Sequence, residues 1–338
     1  MNKSISKSFG PIVSRRGLLA AAAIGAGTLL VACSKPAGQD GAAATTATDS
    51  GKLKVVASFY AMYDFAQKIA GDRAEVSCLV PAGTEPHDWE PSTADLRSLE
   101  EADVLVYNGA GMEHWVDDTL KSLSNSKLVT VEASKDVDLL ELSAEALEEE
   151  KAEHAEHGED PSEVSTTDPH CWLSPTNAAI QMRAIADGLI SADPDGKDAY
   201  EANYDKWSAE AAKLDGEFSQ AIEKLPKRDI VVSHEAFGYL CHQYGLNQMA
   251  IEGIEADAEP DAQTMAKIVE FVKQHDVKYI FSEELVSPKV AQAIAEASGA
   301  QVEELNPLEG LSDEELAAGA DYFSTMRKNL EALKKALA

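Results

Sequence analysis

Short apolar runs alternate with longer amphipathic stretches along most of this chain, from Lys52 onward. The apolar runs are rich in β-branched residues, which favours strands, and the stretches between them have the spacing of helices that bury one face. Two sets of strands are predicted, separated by a long helical region. The first set is Lys54–Phe59, Ala74–Val80, Val104–Asn108 and Leu128–Val131, and the second is Asp229–Ser233, Gln248–Ile251, Tyr279–Ser282 and Gln301–Leu305.

The helical region between the two sets begins at Pro175 and extends to Leu225, and Asp193-Pro194 favours a break within it. Strands that alternate with helices indicate mostly parallel sheets covered by helices. We therefore expect an α/β fold: two similar lobes with mostly parallel sheets, joined by a long linking helix. The predicted bounds are 52–174 for the N-terminal lobe, 175–227 for the linking helical region and 228–338 for the C-terminal lobe.

The first 32 residues differ from the rest, because they carry four basic residues, no acidic residue and an apolar run from Leu18 to Ala32. This run is short for a membrane span and is typical of a secretory signal. Its end, Leu30-Val31-Ala32-Cys33, resembles the lipobox of bacterial lipoproteins, which implies cleavage before Cys33 and attachment of lipid to its sulfur. Residues 33–51 then read as a flexible tether. Arg15-Arg16 also resembles a twin-arginine signal, so either export route fits.

The charge balance narrows the choice of partner. The chain has 29 Lys+Arg against 59 Asp+Glu, a net charge of −30, whereas a nucleic-acid-binding surface needs clustered positive charge. We therefore expect no nucleic-acid partner. Three cysteines remain after Cys33, and an odd number in an exported protein permits one disulfide without saying which of them pair: Cys78, Cys171 and Cys241.

An acidic stretch from Glu148 to Glu163 contains eight acidic residues, with His154 and His157 among them. It has no apolar face, which predicts an exposed loop. Its role is either solvation or transient capture of metal ions, since carboxylates and imidazoles both coordinate cations.

The most informative feature is a five-residue motif that occurs twice. Glu85-Pro86-His87-Asp88-Trp89 is matched by Asp168-Pro169-His170-Cys171-Trp172, so each copy has an acid, a proline, a histidine, one spacer and a tryptophan. Proline restricts the backbone, so each histidine is presented from a stiff loop, and the tryptophan can form an apolar wall beside the imidazole. Two such loops that converge would supply two nitrogen ligands to a metal ion.

A third candidate ligand is His234, which directly follows a predicted strand. Ligands in open α/β sheets gather at the carboxyl ends of strands. A single histidine is more often a hydrogen-bonded structural residue, but three in such positions indicate a metal site.

These motifs together resemble the substrate-binding lipoproteins of zinc and manganese ABC transporters, the ZnuA-like metal-binding receptors. The resemblance covers residues 52–338. The matching segments are 83–91, 108–115, 168–175 and 233–239, with Asn306-Pro307-Leu308, Tyr322, Met326 and Asn329 near the C-terminus.

The resemblance implies a metal ion held between two lobes by His87, His170 and His234. The family's fourth ligand, often an aspartate, falls near Asn306, where this chain has an amide. Water, the carbonyl of Asn306 or the carboxylate of Glu283 are the alternatives for the fourth position. Three imidazoles favour zinc, whereas manganese prefers oxygen ligands.

The expected function is therefore that of a lipid-anchored receptor, outside the cell membrane or on its periplasmic side, that delivers Zn²⁺ to an ABC permease with its ATPase. The chain is expected to act as a monomer, held at the membrane through Cys33, with no catalytic residue. The alternatives are the same role for Mn²⁺, or an exported zinc-dependent hydrolase, since a three-histidine site with an open position can activate water.

Overall fold

The computed structural model describes residues 51–338 except 145, 149–150, 152–163 and 255–259. Cys33, His154 and His157 lie outside the described residues. Gly51–Ala338 forms one compact unit. No helix within the described ranges is both long enough and apolar enough to cross a membrane.

The N-terminal sheet has four parallel strands in the order β2-β1-β3-β4, with helices in the connections. Its central strand β1 ends in three buried residues, as expected for a sheet covered on both faces. The strands are β1 Leu53–Ala57, β2 Ala74–Cys78, β3 Val104–Tyr107 and β4 Val129–Glu132, and the helices are α1 Tyr60–Ala70, α2 Thr93–Glu100 and α3 Val116–Ser122.

A helical region follows, and it contains two helices rather than one. The side chain of Ser174 caps α4 (Pro175–Ala192) by accepting a hydrogen bond from the backbone N–H of Asn177, and the proline occupies the first helical position, where its missing N–H costs nothing. A 3₁₀ turn at Pro194–Gly196 then reverses the chain into α5 (Lys197–Ile222), which packs along α4. The break favoured by Asp193-Pro194 is present, and α5 is the long helix that leads into the second sheet.

The C-terminal sheet repeats the first in its strand order, β6-β5-β7-β8, and is again parallel throughout. The same order of crossovers in both sheets makes the lobes similar, as predicted. The strands are β5 Asp229–Val232, β6 Asn247–Ala250, β7 Tyr279–Ser282 and β8 Gln301–Glu304, and the helices are α6 Gly238–Tyr244, α7 Ala262–Gln274, α8 Lys289–Ser298, α9 Asp313–Ala317 and α10 Tyr322–Ala336.

The largest hydrophobic core runs through both lobes. It includes Val55 and Val106 of the first sheet, Ile230 and Phe281 of the second, and Trp172 between them. The loops at the carboxyl ends of the strands are therefore packed against a continuous apolar interior. This is the part of the fold in which the candidate ligands lie.

Candidate metal centre

Three histidines and one glutamate meet in the interior of the protein. The side chains of His87, His170, His234 and Glu309 each offer one ligand atom, and these atoms lie within 4.8 Å of one another. All four residues are at most 3% exposed. Buried groups that can carry charge are retained only when they are paired or coordinate a metal, so this cluster indicates a site.

His87 lies in the loop that follows β2. The backbone N–H of His87 donates to Glu85 Oε1 over 3.0 Å, and the N–H of Trp89 donates to the carbonyl of Pro86. The turn is thus closed on both sides of the histidine, as the restricted proline backbone predicts.

His170 lies in the second copy of the motif, just before a 3₁₀ turn at Cys171–Leu173. Asp168 Oδ1 accepts the backbone N–H of His170 at 2.9 Å and lies 2.9 Å from the ring Nδ1. The loop is also held from the first sheet, because the side-chain amide of Asn108 donates to the carbonyl of Pro169. The imidazole is therefore fixed with its Nε2 directed into the cluster.

Asp168 is in turn supported from the C-terminal lobe. The hydroxyl of Tyr239 in α6 donates to the carbonyl of Asp168, and the backbone N–H of Leu140 donates to the same hydroxyl. Gly238 allows the close approach of α6, because a Cβ at this position would collide with Asp168 Oδ2.

His234 comes one residue after Ser233, at the carboxyl end of β5. Its backbone N–H donates to Glu283 Oε1 over 3.1 Å, and its ring Nδ1 lies 2.7 Å from Glu283 Oε2. Glu283 follows β7, the neighbour of β5, so the two residues are brought together by the sheet. The carboxylate of Glu283 therefore contacts the opposite side of the ring from the cluster.

Glu309 is carried by the loop after β8. The side-chain oxygen of Asn306 accepts the backbone N–H of Leu308, and the side chain of Asn329 binds both the N–H and the carbonyl of Asn306. Leu308 has φ +62°, an uncommon conformation for a residue with a side chain, which turns the chain sharply before Glu309. Asn306 thus shapes the loop that presents the carboxylate.

Five distances between the four ligand atoms are close to those of a tetrahedral zinc site. The Nε2 atom of His170 lies 3.2 Å from that of His87 and 3.3 Å from that of His234. Glu309 Oε1 lies 3.1 Å from Nε2 of both His170 and His234, and 3.6 Å from that of His87. Four donors bound to zinc at about 2.0–2.1 Å are about 3.3 Å from one another, which is close to these distances.

The sequence prediction and the geometry differ at the fourth position. His87, His170 and His234 are brought together, whereas Glu283 and Asn306 each hold another part of the site. Glu309 was missed. The signal that could have found it is an acid within the apolar run Leu308-Glu309-Gly310-Leu311, since an acid inside an apolar segment is buried only if it is paired.

The model of the periplasmic zinc-uptake complex component A family, ZnuA, matches residues 55–336. The chain belongs to the ZnuA family.

Its relatives in this family include proteins named for zinc. The high-affinity zinc uptake system protein ZnuA of Bacillus subtilis is 41% identical over 287 residues, which are 85% of this chain and 88% of that protein. The zinc-binding lipoprotein AdcA of Streptococcus pneumoniae is 38% identical over 306 residues, which are 90% of this chain. The chain spans only 58% of the length of AdcA.

A solved structure of the family has the same fold. The crystal structure of the Zn(II)-bound ZnuA-like domain of Streptococcus pneumoniae AdcA superposes with a TM-score of 0.71 at 36% sequence identity. The match covers 85% of this chain and 99% of that domain. Two lobes with parallel sheets and helices are therefore the architecture of this ZnuA family member, as the sequence predicted.

The charges within the centre are strongly coupled. Burial alone would lower the pKa of His87, but its hydrogen bond to Glu309 and the charge of that carboxylate outweigh burial and raise the pKa to about 9. Burial likewise opposes the charged form of His234, yet Glu283 and Glu309 raise its pKa well above 6.5. Conversely, burial would raise the pKa of Glu309, but the surrounding histidines, His234 foremost, hold it well below 4.5. The centre thus holds a carboxylate beside two rings, those of His87 and His234, that bind protons tightly.

The cysteines lie outside the set of ligand atoms. Cys78, Cys171 and Cys241 are free thiols, and the last two are buried. The thiol of Cys171, next to His170 in sequence, contacts the side-chain amide of Gln181 at 3.3 Å. A disulfide among the three is therefore not part of this fold.

Proposed function

We propose that this chain is the substrate-binding receptor of an ABC importer and that it captures Zn²⁺ between its two lobes. The observation that carries the proposal is the convergence of three imidazole Nε2 atoms and one carboxylate oxygen within 4.8 Å of one another inside the protein. Membership of the ZnuA family supports the same role.

The ligand set of the receptor is His87, His170, His234 and Glu309. Glu283 accepts a hydrogen bond from Nδ1–H of His234, and Asp168 accepts the equivalent bond from His170. These two contacts place the ring protons on Nδ1, so the lone pair of each Nε2 faces the ion. Asn306 acts through the shape of its loop.

Zinc is the cargo that this donor set favours. Three imidazoles and one carboxylate suit a four-coordinate zinc ion, whereas Mn²⁺ prefers more ligands, and mainly oxygens. The donors are also closely spaced and buried, which leaves little room for the additional waters that manganese retains. Mn²⁺ transport is therefore the second candidate.

A receptor also fits this geometry better than a hydrolase. Catalytic zinc sites keep one position open for water, whereas here four protein donors complete a tetrahedron. Capture replaces protons on His87 and His234 by the ion, and release to a permease reverses this exchange.

The remaining parts of the proposal concern the setting of the receptor. Export with lipid attachment at Cys33 would hold it at the outer face of the cell membrane, and the acidic stretch 148–163 would raise the local concentration of cations through its charge. A permease and its ATPase would take the ion from a monomeric receptor.

Calorimetric titration of residues 34–338 with Zn²⁺ and with Mn²⁺ tests the site. We expect one tight zinc site, whose affinity falls about tenfold in Glu309→Ala and by less in Glu283→Ala. His275→Ala is the matched control, since its ring also pairs with a carboxylate, that of Asp229, but on the surface. Preference for manganese, or zinc binding unaffected by Glu309→Ala, would overturn the site as proposed. Zinc uptake by cells that lack the chain tests the transport role.

A further inference from the structure

Trp172 has the largest side chain among the fully buried residues that the structure describes. Its ring lies beside the imidazole of His170, with centroids 5.3 Å apart, and it also packs edge-on against Phe59, with centroids 4.9 Å apart. The apolar wall expected from the sequence is therefore present beside His170.

Trp172 also makes two hydrogen bonds to the C-terminal lobe. Its indole Nε1–H donates to the carbonyl of Pro307 over 2.7 Å, and its own carbonyl accepts the hydroxyl of Tyr322 at 2.7 Å. Pro307 precedes Glu309 by two residues. The indole thus connects the turn that carries His170 directly to the loop that carries the carboxylate.

The acceptor of the indole hydrogen bond lies in the loop that carries Glu309, and this position is what makes the bond relevant to the metal centre. A buried indole N–H needs a partner, and any carbonyl of the core would serve. The carbonyl of Pro307 belongs to a loop with a left-handed residue, Leu308, whose conformation is held by a few specific contacts. A donor fixed to the His170 turn therefore limits how far Glu309 can move from Nε2 of His170.

We propose that Trp172 is a positioning residue for the bound ion, whose indole N–H holds the Glu309 loop at the distance from His170 that four-coordinate zinc requires. This inference rests on the proposed function, because it assigns a second task to the same site. Without this hydrogen bond, the three histidines remain in place and the carboxylate is free to withdraw. The protein should then bind zinc through three nitrogens and a water.

Trp172→Phe removes the N–H and keeps an aromatic ring. We expect the zinc affinity to fall about tenfold, the range seen when a partner that orients a ligand is lost. Trp207→Phe is the matched control, since its indole also donates to a backbone carbonyl, that of Lys68 at 3.0 Å, but between α5 and α1. Both variants should unfold at lower temperature, while only Trp172→Phe should lose affinity.

The absorption spectrum of the Co²⁺-loaded protein separates positioning from general loosening, because it reports the ligands and geometry of the ion. Trp172→Phe should give the spectrum of the Glu309→Ala variant, and Trp207→Phe that of the unchanged protein. In the Glu309→Ala background, Trp172→Phe should cause no further loss of zinc affinity. Independent losses in the two variants, or an unaltered cobalt spectrum in Trp172→Phe, would overturn the inference.

The outcomes also distinguish this inference from the function on which it rests. If the unchanged protein does not bind zinc, the proposed function fails. If the unchanged protein and Trp172→Phe bind zinc with the same affinity, only the positioning role fails. Should Trp172→Phe not fold, hydrogen exchange of the indole in the unchanged protein decides instead. The indole signal of Trp172, assigned with variants of the other three tryptophans, must be protected, and rapid exchange would refute the hydrogen bond.

Discussion

The two copies of the acid-proline-histidine motif have the same backbone design and different surroundings. In each copy the acid accepts the backbone N–H of the histidine two residues later, Glu85 at 3.0 Å and Asp168 at 2.9 Å. Only the shorter Asp168 also reaches the ring, 2.9 Å from Nδ1 of His170. The other carboxylate oxygen of Glu85 is buried without a hydrogen-bond partner.

The tryptophans of the two copies also differ in their burial and in their contacts. Trp89 is partly buried and packs edge-on against Trp115, within its own lobe. Trp172 is fully buried and binds the opposite lobe through Pro307. The comparison teaches that the motif determines how a histidine is presented by its backbone, whereas neighbours distant in sequence determine how firmly its ring is held.

The largest effect is expected from removal of the histidines themselves. His170→Ala and His87→Ala should each weaken zinc binding by more than about 100-fold, beyond the usual loss for a group that only orients a ligand. His170→Ala should reduce zinc affinity more than His87→Ala does. His170 is nearer to Glu309, and its removal also leaves Asp168 without its ring partner. Competition with a fluorescent chelator measures both, and equal losses would show that the two copies hold the ion alike.

The next effect is that of pH. Because the pKa of His87 is about 9 in the metal-free protein and that of His234 is also raised, zinc must displace protons at neutral pH. Lower pH keeps the rings protonated, so affinity should fall as pH decreases from 9 to 6, by about tenfold per unit for each proton displaced. Calorimetry in buffers of different ionisation enthalpy counts these protons. An affinity that is constant above pH 7.5 would contradict the raised pKa values.

The two acids of the motif should then differ in effect. Asp168→Asn should weaken zinc binding about tenfold, because the amide is a poorer acceptor for Nδ1–H of His170. Glu85→Gln should change affinity by less than about threefold, since the amide oxygen can still accept the backbone N–H of His87. Titration of both variants side by side compares them, and a greater loss in Glu85→Gln would reverse the interpretation of the two copies.

The smallest effect is expected at the first tryptophan. Trp89→Phe should change zinc affinity by less than about twofold, because no hydrogen bond links this indole to the residues of the metal centre. A substitution at a partly buried residue without such a contact usually has a small effect. Titration beside Trp172→Phe checks this, and a loss equal to that of Trp172→Phe would mean that both tryptophans act as walls.

The fold was predictable because its signals are local. Strands β1, β3 and β5 carry β-branched apolar runs, and Pro175 and Asp193-Pro194 marked where helices begin and end. Two of the histidines could be identified because their motif is repeated, and the third because it directly follows a predicted strand. Their assignment as ligands stays a prediction until zinc is titrated.

The fourth ligand could not be identified from the sequence, because its position depends on residues that are distant along the chain. Glu283 follows a strand, as a ligand should, and only the pairing of β5 with β7 shows that it meets Nδ1 of His234. Glu309 follows an irregular turn at Leu308 whose conformation depends on Asn329, a residue of α10. No spacing rule connects these residues.

The positions of the donors along the chain also bear on folding and unloading. His87 and Glu309 are separated by more than two hundred residues, and β8 is the last strand of the second sheet to be added. The site is therefore incomplete until nearly the whole chain is available for folding, so the ion cannot nucleate folding as it does in zinc fingers. The apolar core that joins the lobes must hold the structure by itself. For this reason the protein can give up its cargo without unfolding, and can be used again.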